Sequence, residues 1–185
     1  MENKQTALLV MDMQMGILKR FSETADIIKN VAKAIEKARA NNITVIFVRV
    51  GFQKGLPEVS PNNAKFVALK AQLTDDNLDA YMKIHPEIDL QENDIIINKK
   101  RISAFSGSDL EMILRAKNIQ NLALAGVATS GVVLSTLREA FDKDYQLTVL
   151  ADACTDSSSE VHNFLIEKIF PTQAKVVPVE GWSFE

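Results

Sequence analysis

The chain has 185 residues, 46% of them hydrophobic and 24% charged, so it can bury one sizeable core and is neither disordered nor fibrous. Its 21 basic and 24 acidic residues give a net charge of −3 without a basic block, which argues against nucleic acid or a membrane surface as the main partner. One cysteine excludes an internal disulfide and a thiolate-rich metal site. Because the first five residues show no signal-peptide pattern and no apolar run could span a bilayer, we expect a single cytoplasmic domain over residues 1–185.

Short apolar runs rich in β-branched residues alternate with longer segments of helical periodicity. The runs predict strands at residues 6–12, 43–50, 94–98, 121–126, 146–151 and 174–177. Helices are predicted between them, and Asn41 with Asn42 is expected to end the first. Capping-box spacing at residues 108–111 and 157–160 predicts the starts of two later helices, and Pro171 is expected to end the last one.

One stretch of the chain has a weak pattern. Residues 51–65 are predicted to be a long loop, and residues 66–92 one or two short helices with a turn at His85. The alternation elsewhere predicts an α/β fold, a three-layer α/β/α arrangement with a six-stranded, mostly parallel sheet. In such sheets ligands bind at the carboxyl ends of the strands, so we expect the functional residues there.

Three of the predicted strands end in residues that can carry chemistry. Asp12 ends the first strand, Lys99 follows the third, and the fourth runs into GVATSG at residues 126–131, before a helix. A lysine beside an aspartate lowers the carboxyl pKa, and the free N–H groups at a helix start suit a carboxylate or an oxyanion. The set predicts acid–base or acyl chemistry on a small polar or anionic molecule.

Each of these residues also has an ordinary structural interpretation. An aspartate after a strand commonly forms a turn, a Lys-Lys-Arg run is commonly a solvated surface, and Gly-rich turns often precede helices. The segment at residues 126–131 matches neither the GxGxxG nor the GxSxG motif. It is the convergence of the three strand ends on one edge that favours a site.

These motifs, in this order, resemble the isochorismatase-like (cysteine hydrolase) superfamily, which includes nicotinamidases, N-carbamoylsarcosine amidases and isochorismatases. ALLVMDMQMG resembles the family's opening, INKKRISAFSGSDL its K-x-R-x-S-A-F segment, and AGVATSGVV its nucleophile turn. The resemblance runs from Ala7 to Val177 and implies the family's Rossmann-like hydrolase fold, with Asp12 and Lys99 as catalytic residues. The substrate-binding residues that it implies are Gln14, Arg101, Phe105, Val127, Ala128, Thr129, Ser130, Gly131 and Val132.

The sequence departs from the family pattern at the nucleophile. Counting G-x-x-T-x-x-C-V from Gly126 places Val132 where the catalytic cysteine belongs. An aliphatic side chain cannot attack a carbonyl, which argues against a thioester mechanism. Isochorismatases in the family also lack this cysteine, usually have glycine there, and protonate a vinyl ether with the aspartate as the acid. Valine is bulkier than glycine and would narrow the pocket, which argues against isochorismate itself.

Other nucleophiles are less favoured. Cys154, near the end of the fifth strand, is of a residue type that is most often a buried hydrophobe. Ser130 could be activated by Lys99 or Asp12, but more commonly a serine there caps the helix. The sequence has only two histidines, at positions 85 and 162, and neither is well placed for a Ser-His-Asp triad.

The aromatic residues and the search for a metal-binding motif give little further indication of function. Phe21, Arg49, Phe52 and Phe105 could line a pocket or belong to the core. Nicotinamidases in the family carry an Asp-x-His…His metal site after the second strand, but residues 49–53 (RVGFQ) hold neither residue type, so we expect no metal and no cofactor.

Two functions follow from the resemblance. The leading hypothesis is an isochorismatase-like hydrolase that uses Asp12 and Lys99 for acid–base chemistry on a small-molecule substrate. The alternative is a catalytically impaired pseudoenzyme, which keeps the fold as a small-molecule-binding or assembly module. The resemblance also implies a cis peptide bond between Val127 and Ala128, and a homodimer or homotetramer.

Overall fold

The computed structural model describes residues 5–184. Residues 1–4, which belong to the segment without a signal-peptide pattern, and residue 185 lie outside the described residues. The described chain contains one six-stranded sheet in the order β3-β2-β1-β4-β5-β6, and every neighbouring pair of strands is parallel. The strands are β1 (Thr6–Met11), β2 (Thr44–Val50), β3 (Ile95–Lys99), β4 (Asn121–Val127), β5 (Gln146–Thr155) and β6 (Lys175–Val177). The predicted α/β fold is therefore confirmed.

Helices connect the strands and cover the sheet. They are α1 (Met15–Leu18), α2 (Ala25–Ala40), α3 (Ala64–Lys70), α4 (Asp75–Met82), α5 (Leu110–Ala116), α6 (Leu134–Asp142) and α7 (Ser159–Phe164). A π-helical turn, Thr129–Val133, leads from β4 into α6. The weak pattern of residues 66–92 corresponds to α3, α4 and the loop after them, and α1 is a single turn that the sequence analysis did not predict.

The core lies on both faces of the sheet because alternate side chains of each strand point to opposite sides. From β1, Leu9 and Met11 pack in the cluster that contains α5 and α6, while Leu8 and Val10 pack in the cluster that contains α2. A third, smaller cluster forms around Phe66 from the loop and helices after β2. The arrangement has three layers, as expected.

Several predicted boundaries differ from the structure. The helix expected from the capping box at residues 108–111 begins at Leu110 with Asp109 as its N-cap residue, because the Ser108 hydroxyl donates to the Ala104 carbonyl. The second capping box is displaced by one residue: Ser158, not Ser157, accepts from the Val161 amide.

Strand and helix ends also differ. β5 continues well beyond residue 151, with an irregularity in its pairing between Leu124 and Gly126 of β4. The last helix does not end at Pro171, since π- and 3₁₀-helical turns continue α7 through Thr172. The predicted stop at Asn41 and Asn42 is confirmed, because α2 ends at Ala40.

The strand order reverses direction between β1 and β4. A doubly wound sheet opens a crevice at this switch point, at the carboxyl ends of the two strands, because the connections leave toward opposite faces. Asp12 and the turn after Val127 both lie there. Within residues 5–184, no helix is long and apolar enough to cross a membrane.

Candidate active site

Asp12 is held at the end of β1 by an unusual backbone conformation. Its φ is 56°, and its amide donates to the carbonyl oxygen of Val48 at 2.8 Å. On the other side of β1, Gly126 has a φ of 130°, and a Cβ atom there would overlap the carbonyl oxygen of Met11. Only glycine permits this approach of β4 to β1, which sets Asp12 beside the turn that follows β4.

Asp12 and Lys99 form a buried ion pair. The Lys99 ammonium lies 3.0 Å from Asp12 Oδ2, and the two side chains are 1% and 8% exposed. Lys99 Nζ also donates to the carbonyl oxygens of Arg101 at 3.0 Å and of Ile102 at 2.9 Å. An ammonium has three donors, so all of them are used. Lys99 therefore holds one oxygen of Asp12 in place.

The other Asp12 oxygen, Oδ1, is buried and has no hydrogen-bond partner among residues 5–184. Burial raises the pKa of Asp12, because it penalises the charged carboxylate, and the neighbouring Lys99 ammonium offsets only part of this effect. A buried carboxyl group with a raised pKa holds its proton to a higher pH than a solvated one. It is suited to act as a general acid.

The turn after β4 contains the cis peptide bond Val127-Ala128, the bond that the resemblance implied. The prediction of free N–H groups at this helix start is wrong for three residues. Ser130 N–H donates to Asp156 Oδ2 at 2.7 Å, and the amides of Gly131 and Val133 donate to the carbonyl oxygen of Ala128. These donors are occupied within the chain itself.

Asp156 is a second carboxylate of the site and follows the end of β5. Its pKa lies below the usual value: burial raises it, but the hydrogen bonds from the Ser130 amide and hydroxyl and from the Ser157 and Ser158 amides together lower it by more. Asp12 and Asp156 thus differ in the direction of their pKa shifts. The hydrogen bond from the Ser130 amide ties Asp156 to the turn after β4.

A cavity of about 320 Å³ opens over the ion pair; we call it the catalytic cavity. Val132, which is 2% exposed, lines it together with the cis turn. Seven of the predicted site residues line this cavity: Asp12, Lys99, Val127, Ala128, Ser130, Gly131 and Val132.

Gln14 and Arg101, which were predicted to bind substrate, do not line the catalytic cavity. The Gln14 side chain is fully buried; its amide nitrogen donates to the carbonyl oxygens of Val50 and Tyr81, and its oxygen accepts from the Val50 amide. Arg101 donates to the carbonyl oxygen of Glu58 and lies over the Phe66 ring, 5.6 Å from its centre. Both residues therefore contact residues that line the cavity without lining it themselves.

The other two are in the core. Phe105 packs beside Tyr145 in the cluster that contains α5 and α6, with ring centres 6.0 Å apart. Thr129 is fully buried, and its hydroxyl lies 2.8 Å from Nδ1 of His162. Of the remaining aromatic candidates, Phe21 lines the catalytic cavity and Phe52 packs against Phe66.

The structure does not favour the alternative nucleophiles. Cys154 is buried outside the catalytic cavity, its thiol faces the Leu124 carbonyl oxygen at 3.7 Å, and burial raises its pKa to about 12. A thiol with such a pKa is almost entirely protonated at neutral pH and is a poor nucleophile. Ser130 lines the cavity, but neither histidine is hydrogen-bonded to it in the described part of the chain.

Several cavity residues were missed because they lie in the weakly patterned region. Lys65, Phe66 and Leu69 come from α3, and Tyr81 comes from α4. The Tyr81 ring fits against Gly16, where any Cβ atom would overlap it, and its buried hydroxyl has no partner among residues 5–184. A buried aromatic residue in a short helix gives no signal that distinguishes it from core.

The described residues contain no group of three or more histidine, cysteine, aspartate or glutamate side chains that could hold a metal ion.

Comparison with known proteins agrees with this architecture. A family model described as Isochorismatase domain matches residues 6–181. The chain is 32% identical over 173 residues to an uncharacterised isochorismatase-family protein of Bacillus subtilis (strain 168), covering 93% of this chain and 89% of the relative. It is 33% identical over 207 aligned positions to the ureidoacrylate amidohydrolase RutB of Stutzerimonas stutzeri (strain A1501), covering 98% of this chain and 80% of that protein.

Solved structures give the same result. An isochorismatase-family protein of Burkholderia thailandensis superposes with a TM-score of 0.82 at 28% identity, covering 96% of this chain and 93% of the other. The chain belongs to the isochorismatase family.

Proposed function

We propose that this chain is a hydrolase of a small polar or anionic molecule, in which Asp12 and Lys99 carry out acid–base chemistry and Val132 stands in place of the family's nucleophilic cysteine. The observation that carries the proposal is the buried Asp12–Lys99 pair at the floor of a cavity lined by Val132. The family relationship supports hydrolysis as the reaction class.

The proposed reaction begins with Asp12 in its protonated form. Asp12 transfers its proton to the substrate; in a vinyl ether the proton goes to the terminal carbon of the double bond, which leaves the ether carbon electron-poor. Water then adds to the electron-poor ether carbon and returns a proton to the Asp12 carboxylate. The resulting hemiketal separates into a carbonyl compound and an alcohol, so atoms and charge balance without a covalent enzyme intermediate.

Lys99 has a supporting electrostatic role in this reaction. Because its three donors are taken by Asp12 and by the Arg101 and Ile102 carbonyls, it has none left for a substrate. It fixes Asp12 Oδ2 and stabilises the carboxylate that forms when the proton leaves. Oδ1, which has no partner among residues 5–184, is the oxygen that we assign to proton transfer.

A substrate screen combined with one substitution tests the proposal. Purified protein is assayed against panels of esters, amides and vinyl ethers. On any substrate found, Asp12→Asn should lower kcat by about 10²- to 10⁴-fold, because the amide cannot supply the proton. Asp76→Asn, which changes an exposed carboxylate on α4, is the matched control and should retain full activity. Unchanged turnover by Asp12→Asn would contradict the proposal.

The second candidate function is a pseudoenzyme that binds a small molecule or takes part in an assembly. Val132 is the observation that favours it: an aliphatic side chain lines the cavity at the position that the resemblance assigns to the nucleophile. The two candidates differ in one result: the pseudoenzyme turns over no member of the three substrate panels.

Replacing Val132 by cysteine tests whether the rest of an amidase active site is intact. If Asp12, Lys99 and the cis turn still form the amidase arrangement, Val132→Cys should hydrolyse an amide such as nicotinamide or ureidoacrylate, the substrate named for the curated relatives. A covalent adduct should then be detectable on residue 132 by peptide mass spectrometry. Val132→Ala enlarges the cavity without adding a thiol, so it serves as the control and should form no adduct. No turnover by either wild type or Val132→Cys would favour the pseudoenzyme.

A further inference from the structure

A second, larger cavity of about 630 Å³ lies between α1, α3 and α4, beside the catalytic cavity; we call it the side groove. Its apolar lining includes Leu69, Leu73 and Tyr81. Four cationic side chains also line it: Lys19, Arg20, Lys65 and Lys83. An apolar surface with positive charges around it fits a ligand that has an apolar body and an anionic group.

The charge of the side groove is opposite to that of the chain as a whole. No aspartate or glutamate lines the groove, although α4 begins with Asp75 and Asp76 and the net charge of the chain is −3. None of the four cationic side chains has a hydrogen bond or an ion pair within residues 5–184. These cations are therefore available to a ligand.

The side groove and the catalytic cavity meet. Arg20, Lys65, Leu69 and Tyr81 line both of them. Electrostatic effects cross this junction: Lys65 contributes to lowering the pKa of Asp12, although burial raises it overall. The two cavities therefore adjoin each other at these four residues.

We propose that the side groove binds the anionic end of an amphipathic carboxylic acid whose reacting bond lies in the catalytic cavity. The position of the reacting bond rests on the proposed function, whereas binding of the acid to the groove does not. Charge complementarity selects the occupant, because four cations without a hydrogen-bond or ion-pair partner, in a groove lined by no acidic residue, attract a carboxylate and repel a cationic or polybasic partner.

Calorimetric titration of the purified full chain at low ionic strength tests this. The probes are 4-phenylbutyrate and its primary amide, which share one carbon skeleton and differ in charge. The carboxylate should bind about fivefold more tightly than the amide, and the preference should decrease as salt is added. The double variant Lys19→Gln, Lys83→Gln removes cations that line the groove only, and it should weaken 4-phenylbutyrate binding about fivefold.

The control is Lys33→Gln, Lys117→Gln, which removes the same charge from two exposed lysines on α2 and after α5. It should change the affinity by less than about twofold. Equal loss in both double variants would show a general charge effect and overturn the proposal, as would equal binding of acid and amide. A fall in oligomeric mass confined to the groove variant, measured by sedimentation, would show that a second copy occupies the groove and would also overturn it.

The proposed acid–base mechanism can be refuted independently of the proposal for the side groove. Asp12→Asn should bind 4-phenylbutyrate at least as tightly as wild type, because it removes a carboxyl group near Lys65, while it loses turnover of any substrate found. Intact binding preference with activity unaffected by Asp12→Asn would refute the acid–base mechanism and leave the groove assignment in place.

Discussion

At the residue scale, Asp12 couples proton binding to folding. Burial raises its pKa above the usual 3.8. At pH values between 3.8 and the pKa of the native state, the native chain therefore binds more protons than the unfolded chain. Stability from this group is fully present below pH 3.8 and is lost as pH rises through the native pKa. A group that costs stability at neutral pH is typical of a functional rather than a structural role.

Gly126 gives a sharper prediction at the same scale. Gly126→Ala should lower the free energy of unfolding by about 3 kcal/mol or more, because the methyl group would overlap the Met11 carbonyl and force β4 away from β1. Urea denaturation followed by circular dichroism measures the change. Gly131→Ala is the matched control: its Cβ atom would lie 3.8 Å from Ala128 Cβ, an ordinary contact, so its effect should stay within about 1 kcal/mol. Similar losses in both variants would contradict this account.

At the element scale, the sequence predicted the six strands well and their ends less well. Buried parallel strands appear as continuous apolar runs, which is why β1, β2 and β4 were recognised. Because ligands bind at the carboxyl ends of parallel strands, Asp12 and Lys99 were predicted to lie together at one edge of the sheet. The ion pair between them confirms that they do. Residues 66–92 gave no such pattern, since α3 and α4 are short and bury few residues, so their contribution to the cavity could not be foreseen.

The direction in which side chains point was the second feature that the sequence could not predict. Arg101 and Phe105 follow Lys99 in an irregular segment, where position along the chain does not determine which way a side chain points. In the structure Arg101 lies over the Phe66 ring and does not line the catalytic cavity, and Phe105 packs in the core. Asp156 was missed because its carboxylate matters through the Ser130 amide, a long-range contact that no local pattern encodes.

The bond between His162 and Thr129 joins α7 to the turn after β4 and predicts a pH effect. Burial lowers the pKa of His162 despite the nearby Asp156, so the native chain takes up its proton less readily than the unfolded chain. Stability from this group is present above pH 6.5 and is lost as pH falls through the native pKa. The free energy of unfolding, measured by urea denaturation between about pH 7 and 5, should depend less on pH in His162→Gln than in wild type. An unchanged slope would contradict this.

At the scale of the whole molecule, charge is unevenly distributed. An acidic chain concentrates four cations in the side groove, and the Asp12–Lys99 pair lies at the floor of the adjoining catalytic cavity. The net charge of the chain gave no indication that a groove lined by cations exists. A composition count averages over the surface, whereas a ligand responds to the local field.

Gln14 connects the two parts of this arrangement. Its buried amide joins the end of β2, through Val50, to the end of α4, through the Tyr81 carbonyl. The sheet carries the Asp12–Lys99 ion pair, while α3 and α4 supply part of the lining of both cavities. Because Gln14 is buried, loss of its side chain would remove three buried hydrogen bonds that link the end of β2 to the end of α4, and would loosen the helix that carries Tyr81 without touching the ion pair itself.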